Sequence, residues 1–284
     1  MVPQVDTRVP GAVEEHVQSL YRKMYPQGDR AFVPRAFDWV QECFTGRYDD
    51  YLPIDARYHD LEHTLQGTLC LARLLYGRHQ AGAVPEVPER MFQLTLLAIL
   101  FHDTGYLKKK GDDDGTGAKY TPIHVGRSAT FAMEFLLKKG FNASEIGPIQ
   151  SMISCTGVNV DLEAIPFSSQ LERTMGFALG TADLLGQMAA RDYVDKLPIL
   201  YAEFAEAARY NFGKTRFVFK SPEELMRNTP AFWEYYVWPK INNDFGGLYR
   251  FLNDPYPDGP NLYIQRIDQN LIKLRDKLSE VAHV

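Results

Sequence analysis

Four of the seven histidines fall in three short segments, RYHDLEHT (57–64), AILFHDTGY (98–106) and TPIHVGRSA (121–129). His59 and His63 are four residues apart, which on a helix puts both on one face. His102 and Asp103 are adjacent at the end of the most apolar stretch of the chain. An imidazole and a carboxylate leaving such a helix are costly to bury unless bonded to something. A metal ion meets that demand, since both groups are good ligands for first-row divalent ions. A further donor has to come from elsewhere. Asp183 stands alone among apolar and small residues in FALGTADLLGQMA, with no base nearby in sequence. Such an acid lies near a helix end, pairs with a distant cation, or binds a metal. Taken singly, each of these residues reads as an ordinary surface or capping group. An HxxxH pair or an HD dipeptide says little alone, and the combination carries the reading of a metal site.

These side chains must be held by helices. Phe37, Val40 and Phe44, then Leu61, Leu65, Leu69, Ala72 and Leu75, recur at steps of three and four, the period of one helical face. From Met91 to Phe101 apolar residues lie all round, as in a helix at the centre of a bundle. Thr121-Pro122 reads as an N-cap followed by proline in the first turn, opening a helix to about Lys139 that Gly140 ends. Asn142 is expected to cap a helix toward Cys155, and another is expected from about Gln170 into Ala190. Residues 192–212 and 231–252 carry helical periodicity as well. In the last helix, about residues 261–280, Leu262, Ile264, Ile267, Leu271, Leu274 and Leu278 lie near one face, expected to be core, with a homodimer contact as the alternative. Residues 77–90, 253–260 and the segment GDDDGTG (111–117) read as loops. The last lacks the spaced ligands of an EF-hand and is expected to be solvated and mobile. The fold class expected is all-α, one domain over residues 1–284. A metal-bearing core spans about residues 37–190, and a C-terminal helical part completes the pocket.

Composition narrows the function. A net charge of −5 argues against binding a nucleic-acid duplex, yet leaves room for a small anionic substrate. Cys43, Cys70 and Cys155 show no C-x-x-C spacing, which fits reduced thiols better than a disulfide framework. The N-terminus has no apolar signal core, and the apolar run Leu94–Phe101 is too short to cross a bilayer, so a cytoplasmic protein without a membrane role is expected.

The set His63, His102-Asp103 and Asp183 resembles the H…HD…D signature of the HD superfamily of metal-dependent phosphohydrolases. ARYHDLEHTLQGTLCLARLL is similar to the YHNxxH helix of class I cyclic-nucleotide phosphodiesterases, and AFWEYYVWP (231–239) to the segment that carries their base-clamping phenylalanine. The resemblance spans about residues 37–252. It implies an HD-type helical bundle with the metal bound between central helices by His63, His102, Asp103 and Asp183. It also implies Asp103 bridging to a second ion, His59 as general acid, and Phe232 as the clamp. His124 is the candidate for the second ion or for phosphate. Several positions depart from the phosphodiesterase pattern. Asp60 follows His59 where Asn is usual, Tyr106 replaces a second histidine, Gly186 replaces an Asn, and Thr229 stands in place of the purine-reading Gln. HDTGY is closer to the HDxG pattern of bacterial HD proteins.

The function implied is hydrolysis of a phosphomonoester or phosphodiester, of a nucleotide or cyclic nucleotide, by a metal-activated water. The cofactor would be a divalent transition metal (Zn, Mn, Fe, Co or Ni), with a second ion such as Mg or Mn alongside. Two other readings stand beside it: a non-catalytic HD domain that senses a nucleotide, and a di-iron oxygenase. The latter needs a fuller second ligand set than MISCTGVNV provides.

Overall fold

The computed structural model describes residues 4–211 and 219–281. Ten α-helices run through the described residues: α1 (Pro10–Met24), α2 (Phe32–Phe44), α3 (Leu61–Gln80), α4 (Glu89–Phe101), α5 (His124–Lys138), α6 (Ala143–Ser154), α7 (Gln170–Met188), α8 (Tyr193–Tyr210), α9 (Pro222–Phe232) and α10 (Leu262–Val281). Among these residues there is no strand, only the isolated bridges Tyr51–Lys109 and Asn253–Asn261. The protein is an all-α bundle.

The centre is made by α3, α4 and α7. From Phe92 to Phe101 every residue of α4 is buried, so its all-round apolar character reflects a helix surrounded by others. α3 packs along α7 and also meets α1 and α4. The α3–α7 crossing is tight because of Gly186, where an added β-carbon would lie 2.8 Å from the Gln66 carbonyl and the Gly67 nitrogen. This close approach brings His63, one turn before Gln66, to Asp183, one turn before Gly186. In α10, Ile267, Leu271 and Leu274 are buried, which is the core role expected of that face, and Ile272 is exposed.

Several elements differ from expectation. Asp60 is the N-cap of α3, its carboxylate accepting from the His63 N–H at 2.9 Å. His59 therefore precedes the helix and does not share a helical face with His63. Thr121 and Pro122 lie inside a 3-10 turn, Gly117–Ile123, capped by Thr116, and α5 begins only at His124. The loop expected over residues 77–90 is shorter, because α3 continues to Gln80. Beyond α9, the stretch to residue 252 is broken into wide π turns, Trp233–Val237 and Lys240–Asp244, and a 3-10 turn, Leu248–Leu252.

Segment 111–117 is solvated on its outer side, as expected, but it is tied down. Thr116 donates its N–H and hydroxyl to Glu206, Gly117 its N–H to Asp55, and Tyr210 its hydroxyl to Asp114. Lys108 donates to the Gly115 carbonyl at 2.6 Å and pairs with Asp55 at 2.9 Å. Lys119 pairs with Asp112. The segment joins the turn after His102-Asp103 to α8.

Candidate metal centre

His63 stands in the first turn of α3, His102 and Asp103 at the C-terminal end of α4, and Asp183 inside α7. Four atoms from them converge. His63 Nε2 lies 3.1 Å from Asp103 Oδ2 and 3.3 Å from Asp183 Oδ1, and His102 Nε2 lies 3.3 Å from each of the same oxygens. Donors about 2.0–2.2 Å from a shared ion stand roughly 2.8–3.6 Å apart for bond angles between about 90° and 109°. These four imidazole–carboxylate separations fall in that window, and the ligand atoms of His63, His102 and Asp103 all lie within 4.8 Å of one another.

The donor chemistry fits an ion as well. His102 Nδ1 lies 2.7 Å from the Ile99 carbonyl, which only accepts, so Nδ1 carries the proton and Nε2 turns a lone pair inward. His102 Nε2, Asp103 Oδ2 and Asp183 Oδ1 are buried without a hydrogen-bond partner. Buried polar atoms are nearly always bonded, and three orphans aimed at one point need a common partner. A divalent cation held by His63, His102 and Asp103, with Asp183 beside them, would supply one.

Within this group the charges pair with each other. Burial alone would hold His63 neutral, but hydrogen bonding and charge from Asp103 and Asp183 outweigh it and push the imidazole up to about 10. The same carboxylates, acting against burial, raise His102. Asp103 and Asp183 are held well below the usual carboxylate range, the imidazoles overcoming the cost of burial.

A second group of rings lies on the other side of Asp103. His124 Nδ1 donates to the Thr121 carbonyl at 2.6 Å, leaving Nε2 as a lone pair 3.8 Å from Asp103 Oδ1. Burial holds this imidazole below its usual value, so it stays neutral. Asp103 thus offers Oδ2 to the first centre and Oδ1 toward His124. Tyr106 stacks on both His124 and His59, with centroids at 4.7 and 4.5 Å, and the two imidazoles lie 6.2 Å from each other. The tyrosine found in place of a histidine completes a triangle of rings with the two imidazoles.

His59 is held by a residue the sequence does not single out. Glu203 of α8 is buried, with Oε2 at 2.6 Å from His59 Nδ1 and Oε1 accepting the Tyr58 N–H at 2.7 Å. Burial would raise the Glu203 carboxyl, but His59 and the backbone donors outweigh it and keep it ionised. Two further residues set the turn that carries Asp103. A β-carbon on Gly105 would lie 2.0 Å from the His124 carbonyl oxygen, so only glycine lets this turn reach α5. Arg127 clamps the turn through the Gly105 and Leu107 carbonyls at 2.7 and 2.8 Å.

The expected base-binding residues are on α9. Phe232 is 39% exposed and stacks on Tyr236, with centroids 5.0 Å apart. Tyr236 is pushed up to about 12, by burial first and also by the charges of Asp244 and Asp183. Thr229 is buried, and its hydroxyl donates to the Leu225 carbonyl of its own helix at 3.0 Å. It has no hydrogen left for a base.

Fold and site together define an all-helical protein with a buried group of His63, His102 and Asp103 that could hold a metal ion, with Asp183 in contact with both imidazoles. Over residues 112–252 the chain is similar to the Npun_R2479-like family, a description that names no activity. That match takes in His124, Asp183 and Glu203 and begins beyond His59, His63 and His102-Asp103. No curated protein gives a significant match.

Proposed function

We propose that the protein is a metal-dependent phosphohydrolase of the HD type, acting on a small phosphoester, in the first instance a nucleotide. The observation that carries this reading is the convergence of His63 Nε2, His102 Nε2, Asp103 Oδ2 and Asp183 Oδ1 at separations of 3.1–3.3 Å, three of these atoms having no other partner. The resemblance of the H…HD…D residues to that superfamily supplies the reaction class. When bound there, a divalent ion supplies Lewis acidity and a nucleophilic water near neutral pH.

The chain's own residues supply the remaining parts. His59, fixed through Nδ1 by Glu203, presents Nε2 as the group that protonates the leaving oxygen while the P–O bond breaks. The Glu203 carboxylate, 2.6 Å from Nδ1, sets which nitrogen faces substrate. This is how a buried acid orients a catalytic imidazole. Asp103 Oδ1 and His124 Nε2 provide donors for a second ion or for a phosphoryl oxygen reached through one. Phe232 and Tyr236 offer an aromatic face for a base, and stacking on such a face accepts any base.

The reading is tested by Asp103→Ala, since Asp103 alone faces both groups of donors. Elemental analysis should find most transition metal gone, and turnover of p-nitrophenyl phosphate and nucleotide esters should fall together. Full metal content in the variant would refute the assignment.

A further inference from the structure

On the far side of the α3–α7 crossing lies a cavity of about 350 Å³. Its walls are the N-terminal segment 4–8, α3 at Glu62, Gln66 and Leu69, the turn from α7 into α8, and α10 at Tyr263 and Arg266. The three acids that line it are each answered by a cation. Asp6 is paired with Arg8 at 2.8 Å. Glu62 pairs with Lys196 at 2.9 Å and also accepts the Thr7 hydroxyl. Asp192 pairs with the same lysine at 3.5 Å. Two guanidiniums of the lining, Arg191 and Arg266, have no carboxylate within 4.0 Å among the described residues. They are not indifferent to each other either. Arg266 is half-buried and held below its ordinary value, first by burial and then by the charges of Arg73 and Arg191. A cavity with two forked cations that repel one another, beside acids already committed, lacks an anion.

We propose that this cavity is a binding site for a phosphate-bearing small molecule, seated between the guanidiniums of Arg191 and Arg266 and separate from the candidate metal centre. Phosphate suits it better than a lone carboxylate. One guanidinium satisfies a carboxylate with a bidentate pair, whereas a phosphate has a third oxygen left for a second fork. The site goes beyond the hydrolase reading and does not depend on it. Its position puts it next to the candidate metal centre. Gln66, Ala190 and Asp192 also line a small space of about 10 Å³ that opens on His63. Gly186, which also lines the cavity, is the point where α3 and α7 touch. An anion here braces the two helices that carry His63 and Asp183.

The test is calorimetric titration of the full chain with inorganic phosphate at fixed ionic strength. Wild type should show a saturable site, and Asp103→Asn should retain it. Arg266→Gln should weaken it at least tenfold, and Arg191→Gln should weaken it in the same direction. Arg191 is on the surface, so its variant tests the site even if Arg266→Gln fails to fold. Absence of saturation by about 10 mM phosphate overturns the proposal, a weaker limit than typical ligand sites need. So does a site lost in Asp103→Asn but kept in both arginine variants, because phosphate then goes to the metal centre. Binding that neither arginine variant alters overturns it as well.

Discussion

Replacing Glu203 by glutamine exchanges one carboxylate oxygen for an NH₂ group, and the contacts of the carboxylate say what that exchange does. Glu203 accepts twice, from the Tyr58 N–H at 2.7 Å and from His59 Nδ1 at 2.6 Å. A glutamine of the same shape has one accepting end and one donating end. Turned to keep Tyr58, it presents an NH₂ group to Nδ1. The protonated imidazole, which has an N–H at both nitrogens, then meets a donor where it had an acceptor. The lost charge-assisted bond is worth about 1.5–3 kcal/mol. If His59 is the acid, turnover of esters with strongly basic leaving groups falls by roughly 10- to 150-fold. p-Nitrophenyl esters, whose leaving group needs little protonation, should lose less than about threefold, within what acid catalysis of about 10²–10⁴-fold allows. The assay is kcat on alkyl and p-nitrophenyl phosphoesters, with far-ultraviolet dichroism and metal content measured alongside. Equal losses on both esters with metal retained would refute the reasoning and reduce Glu203 to a structural partner of the Tyr58 turn.

In the ion-free protein His63 keeps its proton up to about pH 10, yet an ion needs it neutral, so metal uptake at pH 7 should expel protons and tighten by about tenfold per pH unit for each proton displaced. Calorimetry in buffers of different ionisation enthalpy reads this, and uptake without proton release would contradict it. For the same reason the metal-free protein should lose stability as pH rises from 6.5 toward about 10, because the raised imidazole contributes most below its ordinary value; a denaturation midpoint flat across that range would count against the pairing. Gly105→Ala should cost more than about 2 kcal/mol, as its methyl would stand 2.0 Å from the His124 carbonyl oxygen; an unchanged melting temperature would place that turn wrongly. With Thr229 turned to its own helix, adenine and guanine nucleotides should differ by less than about tenfold in kcat/KM, and a hundredfold preference would mean that another side chain reads the base.

The residues of the candidate metal centre were legible because their types are rare and their surroundings conspicuous. His102-Asp103 ends a helix apolar on every side, and Asp183 is the one acid in the apolar and small-residue stretch FALGTADLLGQMA. Steps of three and four also mark most of the helices. α1 lies outside the stretch of the phosphodiesterase resemblance, yet Val13, Val17, Leu20 and Met24 carry the same stripe. Glu203 was not legible. It sits in YAEFAEAARY beside a second glutamate, as on any solvated face, and its partner His59 is 144 residues away. The same distance hides the clasp on segment 111–117, whose glycines and aspartates read as loop while Asp55, Glu206 and Tyr210 come from elsewhere. His59 was misplaced relative to α3 for a local reason: spacing suggests a shared face, but the Asp60 carboxylate caps the backbone between the two histidines.

Tyr106, His59 and His124 meet as a triangle of rings, with centroid separations of 4.5, 4.7 and 6.2 Å. Each ring touches the other two, so none of the three can be displaced alone. A shift of His124, on the Oδ1 side of Asp103, is passed to His59 directly and through the tyrosine. The aim of the ring held by Glu203 is then tied to the position of the other imidazole by packing rather than by bonds.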